Sequence, residues 1–144
     1  MQRLNFTIPG EPAGKARPKF STFNGHVRAI TPKQTVSYEN FVKMAYSQVY
    51  PGRVPFEKGV PLLVTITAFF KIPASVSKKR REAMLEDKIR PTKKPDADNL
   101  AKAVLDALNG IAYYDDSQIV TLTVDKLYSD TPRVEVEIAE EMRL

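Results

Sequence analysis

Apolar and polar residues alternate along residues 2–8, placing Leu4, Phe6 and Ile8 on one side, the two-residue period of a half-buried β-strand. The period breaks across PGEPAGKARPK, where Pro9, Gly10, Pro12, Gly14 and Pro18 punctuate a loop. FSTFNGHVRAI resumes strand character and predicts a hairpin turning at Asn24-Gly25. Thr31 is then placed to cap a helix and Pro32 to open it. That helix reaches Val49 with an apolar stripe of Val36, Phe41, Val42, Ala45, Tyr46 and Val49, and Pro51-Gly52 closes it. Residues 60–72, VPLLVTITAFFKI, are rich in branched and aromatic side chains and predict a buried strand. Ser77 caps a short charged helix, KKRREAMLE, and KIRPTKKP at 88–95 reads as an exposed extended loop. A helix follows from about Asp98 to Leu108, ended by Asn109-Gly110. QIVTLTVDKLYS and PRVEVEIAE predict two last strands joined by a hairpin through Asp130-Thr131-Pro132. With no repeat and no linker, the expectation is one α+β domain over residues 1–144, a mixed β-sheet with three or four helices packed on it.

The chain has 144 residues, enough for one domain that buries roughly two-thirds of its unfolded surface. Folding therefore demands neither metal nor disulfide. There is no cysteine, which excludes a disulfide framework and thiolate-ligated zinc or iron–sulfur sites. No apolar run approaches the roughly 18 residues of a membrane helix, and the opening segment reads as a strand rather than a signal peptide. A soluble cytoplasmic protein, with no membrane partner, is expected.

Charge adds direction to this picture. The net charge is +5, but residues 71–94 carry nine Lys/Arg against three acids, while residues 95–144 carry four against eleven. A basic front and an acidic back suit a protein that grips a polyanion and keeps carboxylates for another task.

That task is concentrated in KPDADNLAKAVLDALNG and YYDDSQIV. Asp96 and Asp98 lie two apart where an extended stretch enters a helix, so both carboxylates can face one point. Lys102 follows Asp98 by four residues, on the same helix face, where it can neutralise phosphate charge. Asp115 and Asp116 precede a strand and can return to the same place. Hard oxygen donors without cysteine, and with His26 the lone histidine, point to Mg²⁺ or Mn²⁺ rather than zinc. Each acid also has an ordinary structural role open to it. Asp98-Asn99 can cap the helix, and Asp-Asp-Ser is common turn chemistry. His26 beside its turn reads as a surface residue. Of Tyr113 and Tyr114, one is expected in the core and one in a turn, and one of Phe69 and Phe70 must point away from the core.

The run KPDADNLAKAVLDALNGIAYYDDSQIV resembles the signature of the RusA family of Holliday junction resolvases, P-D-x-D-N-L-x-K-x-x-x-D-A-L-N-G leading to Y-x-D-D-x-Q, over residues 94–120. The I-x-G-x-P-x-x-K-x-R-P loop from Ile8 to Pro18 is similar to the family's N-terminus. The resemblance implies metal-binding aspartates at Asp96, Asp98 and one of Asp115 and Asp116, with Asp116 favoured, and an essential lysine at Lys102. It further implies magnesium-dependent, paired nicking of four-way and related branched DNA by a homodimer, in recombination and repair, and a prophage or phage origin. Phosphate contacts are expected from Lys15, Arg17, Lys19, Lys93 and Lys94. Lys78, Lys79, Arg80 and Arg81 form a charge run that reads more simply as a solvated helix face. Two other functions compete: a catalytically inactive branched-DNA-binding module of the same fold, and an unrelated phosphotransferase or phosphatase. Lys93-Lys94-Pro95 ahead of Asp96 argues against the latter, whose nucleophilic aspartate usually follows an apolar strand.

Overall fold

The structure is a computed structural model that describes residues 2–15, 19–23, 25–30 and 33–141, with the backbone alone for 19–23, 26–30, 34 and 35. Thr31 and Pro32, the expected start of the first helix, lie outside the described residues. Six strands and three helices follow in the order β1 (Arg3–Pro9), β2 (Lys19–Phe23), β3 (His26–Ile30), α1 (Lys33–Val49), β4 (Leu62–Lys71), α2 (Lys78–Leu85), α3 (Ala97–Leu108), β5 (Ile119–Ser129) and β6 (Arg133–Glu140). β2 and β3 form the expected hairpin, paired as a separate two-stranded sheet. The other four strands make one mixed sheet in the order β1-β6-β4-β5, in which β4 is antiparallel to β6 and parallel to β5. The fold is therefore α+β, a small single domain. Among the described residues no helix is long and apolar enough to cross a membrane.

The alternation read from the sequence explains which sheet face is covered. Leu4, Phe6 and Ile8 of β1, Leu62, Val64, Ile66, Ala68 and Phe70 of β4, and Val134, Val136 and Ile138 of β6 are all buried. They share one core with Val42 and Tyr46 of α1 and Leu100, Val104, Ala107 and Leu108 of α3. Burying such side chains stabilises by about 1.5–3 kcal/mol each. The two helices therefore lie on this face. The opposite face carries Asn5, Thr7, Thr65, Thr67, Glu135 and Glu137 around an open depression.

Three sequence expectations change. β4 is not buried on both sides: Leu63, Thr65, Thr67 and Phe69 alternate with the core residues and are half-exposed. Phe70 is the core member of its pair, and Phe69 lies under the Arg133 guanidinium, 3.9 Å from the ring centroid. β5 and β6 are not a hairpin. β4 lies between them, so Asp130-Thr131-Pro132 crosses the end of β4, where Ile72 N donates to Ser129 O at 3.3 Å. Strand pairing depends on nonlocal partners, which a turn motif does not report. The apolar stripe of α1 is also narrower than expected, since Val36 and Val49 are exposed.

α2 begins as expected, with Ser77 Oγ accepting from Arg80 N at 3.2 Å. Of its basic run, Arg81 pairs with Asp130 at the end of β5, tying the helix to the sheet.

Candidate active site

Helix α3 places most of the candidate chemistry. Asp96 is its N-cap residue, with extended backbone (φ −67°, ψ 156°), yet its side chain makes no capping hydrogen bond. Asp98 lies in the first turn. The two carboxylates are therefore related as cap and first-turn residues, not as alternate positions of one extended stretch, and both are exposed. Among the described residues neither they nor Lys102 have a hydrogen-bond or ion-pair partner. The helix start carries partial positive charge from its unpaired N–H groups, which favours ionised carboxylates there. Lys102 is exposed one turn further on, and Asp106 a turn beyond that. Residues 98, 102 and 106 thus form a charged stripe along one helix face.

The second acidic turn divides its labour. Asp115 caps a short 3₁₀ turn, Asp116–Gln118, with Oδ2 accepting from Ser117 N at 3.3 Å and from the Ser117 hydroxyl. Those bonds, the hydroxyl first, hold the Asp115 carboxyl below its usual value, with a smaller contribution from the Asp116 N–H. Asp116 is exposed and has no such partner among the described residues. The ordinary turn role is thus filled by Asp115, leaving Asp116 free to act as a ligand.

Two buried residues hold that turn in place. Tyr113 is fully buried, and its hydroxyl donates to Leu105 O, pinning the turn to the last turn of α3. Burial pushes the Tyr113 phenol well above its ordinary value, and Asp116, Asp106 and Asp115 add to the shift, so all three acids lie around it. Gln118 is the single buried polar residue among those described, and its amide is used at both ends. Its Oε1 accepts from Tyr114 N at 3.0 Å and Asp115 N at 3.1 Å. Its Nε2 donates to Glu57 O at 3.0 Å and Val60 O at 3.1 Å. One side chain therefore fastens the Asp115-Asp116 turn to the loop leading into β4.

The loop after β1 docks on the start of α3. Lys15 N donates to Asn99 O at 3.2 Å. A Cβ on Gly14 would sit 2.8 Å from Pro95 Cβ and 3.1 Å from Asn99 Cβ, so only glycine permits the approach. The Lys15 ammonium, expected on phosphate, is instead engaged within the fold. It donates to Asp106 and lies 3.9 Å from Glu39 Oε1 of α1, an oxygen with no hydrogen-bond partner among the described residues. The Asp106 bond raises the lysine's pKa.

The other basic candidates fall into two groups. Lys94 is exposed without a partner among the described residues, whereas Lys93 lies over the Phe70 ring, 5.7 Å from its centroid. Lys126 of β5 stands over the same ring at 5.2 Å and donates to Lys93 O. Arg90 bonds Lys126 O and Asp125, completing the attachment of the 88–95 connection to β5. Arg17 lies outside the described residues, as does the Lys19 side chain.

No three Asp, Glu or His side chains among the described residues are gathered closely enough to hold a metal ion. The spacing gives a reason. Asp98 and Leu105, where Tyr113 pins the second turn, are about 10 Å apart along the helix axis. In chemical type the donors do suit a hard divalent cation: free carboxylate oxygens, a nearby ammonium, and no thiol.

Gln118, Asp106, Gly14 and Lys126 were given no functional role from the sequence. Asp106 had a legible signal in its four-residue spacing from Lys102, and both Asp106 and Gln118 are fixed positions of the RusA-like signature. Lys126 had no such signal.

Free carboxylates at a helix start and on a pinned turn, with a lysine between them, define an acidic-site α+β domain suited to chemistry at phosphate. Comparison with known proteins narrows the class. The family model for endodeoxyribonuclease RusA matches residues 9–139. The chain belongs to this family. It is 40% identical over 142 residues to the uncharacterized protein YqaN of Bacillus subtilis (strain 168), covering 97% of this chain and 98% of that protein. It is also 40% identical over 86 residues to the crossover junction endodeoxyribonuclease rusA of Lactococcus phage r1t, covering 59% of each chain.

Proposed function

We propose that this chain is a magnesium-dependent endodeoxyribonuclease that resolves four-way DNA junctions, acting as a homodimer that nicks two opposed strands. The observation that carries the reading is the freedom of Asp96, Asp98 and Asp116. Asp96 is the N-cap of α3 yet makes no capping bond, and Asp98 and Asp116, in the first turns of α3 and of the short 3₁₀ helix, have no side-chain partner among the described residues. Membership of the RusA family and the name of the phage relative support the substrate class.

Asp96, Asp98 and Asp116 are the residues that would hold Mg²⁺ or Mn²⁺, although they are not gathered around one point in this structure; the ion when bound supplies charge neutralisation at the phosphate and a lowered pKa for water. Asp115 keeps the Asp116 turn in shape through Ser117. Lys102, on the helix face between the two acidic segments, offsets negative charge developing at the scissile phosphate. Lys94, the exposed part of the 88–95 connection and Lys78, Lys79 and Arg80 of α2, which have no side-chain partner among the described residues, offer sequence-independent phosphate contacts.

The test is incubation of purified protein with a labelled four-way junction or a linear duplex of the same sequence, in Mg²⁺ or EDTA. Symmetric nicks on the junction alone, in Mg²⁺ alone, are expected. Asp98→Asn should bind the junction and fail to cut it. Normal cutting by Asp98→Asn would refute the assignment of the site, and binding without cutting by the unaltered protein would leave a non-catalytic junction-binding module.

A further inference from the structure

Adjacent tyrosines at the acidic turn have opposite fates. Tyr113 is completely buried, whereas Tyr114 is 47% exposed, although it directly precedes Asp115. Over the Tyr114 ring stands the Lys58 ammonium, 5.1 Å from the centroid. Lys58 comes from a different segment, the tight turn Glu57–Val60, in which Val60 N bonds Glu57 O at 3.4 Å and Gly59 takes a φ of 77°. Both halves of the pair are fixed by the same buried side chain. Gln118 accepts from Tyr114 N and donates to Glu57 O and Val60 O. The two backbone segments that carry an aromatic ring and an ammonium are thus fastened together beside the acidic turn by hydrogen bonds.

We propose that Tyr114 and Lys58 form a docking platform for an unpaired base and its flanking phosphate in the DNA strand being cut. An exposed aromatic ring is a stacking surface for any base, and the ammonium beside it complements the phosphate. At a branch point the bases of the exchanging strands are open to unstacking, whereas those of a linear duplex are stacked and paired. The platform therefore favours branched over linear DNA through contacts that do not depend on sequence. The inference deepens the junction-cutting reading and rests on it.

The test is binding, with EDTA present so that no strand is cut, to a four-way junction carrying 2-aminopurine at the branch point and to a linear duplex. The unaltered protein is expected to prefer the junction and to change the probe's fluorescence on binding. Tyr114→Ala and Tyr114→Leu, the second keeping apolar bulk without a π face, should weaken junction binding about five- to a hundredfold and abolish the fluorescence change. Tyr114→Phe should restore both. Lys58→Ala should lower the salt dependence of junction binding by about one unit of slope. Both residues are exposed, so unfolding temperatures should stay close to that of the unaltered protein. Junction binding and fluorescence unchanged in Tyr114→Ala would overturn the proposal, reducing the pair to a surface contact. If the unaltered protein does not distinguish junction from duplex, the junction-cutting reading itself falls, and the platform with it.

Discussion

Replacement of Gln118 by leucine tests whether the acidic turn is positioned by one side chain. Leucine matches glutamine roughly in size but removes its acceptor and both donors. Four backbone groups then lose a partner: Tyr114 N and Asp115 N on one side, Glu57 O and Val60 O on the other. A single neutral hydrogen bond contributes about 0.5–1.5 kcal/mol net, and a buried group left unpaired costs about 1–3 kcal/mol. Tyr114, Asp115 and Glu57 are exposed residues whose backbone can recruit water, whereas Val60 is half-buried. Leucine also regains some apolar burial. The net destabilisation should be about 2–3 kcal/mol, which for a chain of this size lowers Tm by about 6–12 °C. The assay is thermal unfolding followed by circular dichroism, paired with junction nicking at a temperature where the variant is fully folded. Nicking should fall about 10- to 100-fold there, because Asp116 is no longer held, and small misplacements of a reacting group cost factors of that size. Gln118→Glu should be intermediate in structure, still accepting from the two N–H groups while setting a carboxylate against two carbonyl oxygens. A folded Gln118→Leu protein that nicks at the full rate would refute the positioning role, whatever its Tm.

The two acids of the turn should separate. Asp116→Asn is expected to abolish nicking while leaving Tm nearly unchanged, whereas Asp115→Asn should retain most nicking and unfold at a slightly lower temperature, and the reverse pattern would exchange their roles. Lys15→Met should destabilise the domain by about 1–2 kcal/mol near neutral pH, an estimate reduced for the solvent exposure of the pair. Because the Lys15 pKa is raised in the folded state, its contribution is fully present below the unfolded value near 10.5 and is lost as pH rises through the folded one. The stability gap between the two proteins should accordingly close at strongly alkaline pH, and a constant gap in pH-dependent denaturant melts would count against the pairing with Asp106. Lys93→Ala with Lys94→Ala should flatten the salt dependence of junction binding by up to about two units of slope, Lys94 contributing more because Lys93 is partly committed to Phe70.

The local pattern carried most of the secondary structure. Alternation located β1 and β6 and picked out their core residues, branched and aromatic composition located β4 without showing that it is buried on one side only, and the Asn24-Gly25 turn marked the hairpin of β2 and β3, because strand period and turn chemistry are properties of neighbouring residues. The place of Asp96, Asp98 and Lys102 at the start of one helix was legible for the same reason, although Asp96 and Asp98 are related as cap and first-turn residues rather than as neighbours on one extended face. The wider α1 stripe misled, since Val36 and Val49 satisfy the helical period without a surface to pack against.

Tertiary structure decided the rest. Inserting β4 between β5 and β6 is a choice among nonlocal pairings, and three connecting residues serve a crossing as well as a hairpin. That Gly14 lets the basic loop approach α3 and brings the Lys15 ammonium to Asp106 was a further nonlocal outcome. The division of labour between Asp115 and Asp116 was not legible in their spacing, and only the family resemblance favoured Asp116. The division depends on the Ser117 hydroxyl, on the Tyr113 hydrogen bond to Leu105 and on the four bonds of Gln118 to two separate segments. The sequence by itself determined which chemical groups are present and which of them share a helix face or a turn, because those relations are set by covalent spacing. Only the folded chain decided which carboxylates and ammonium groups stay free, because each is claimed or released by partners far away along the chain.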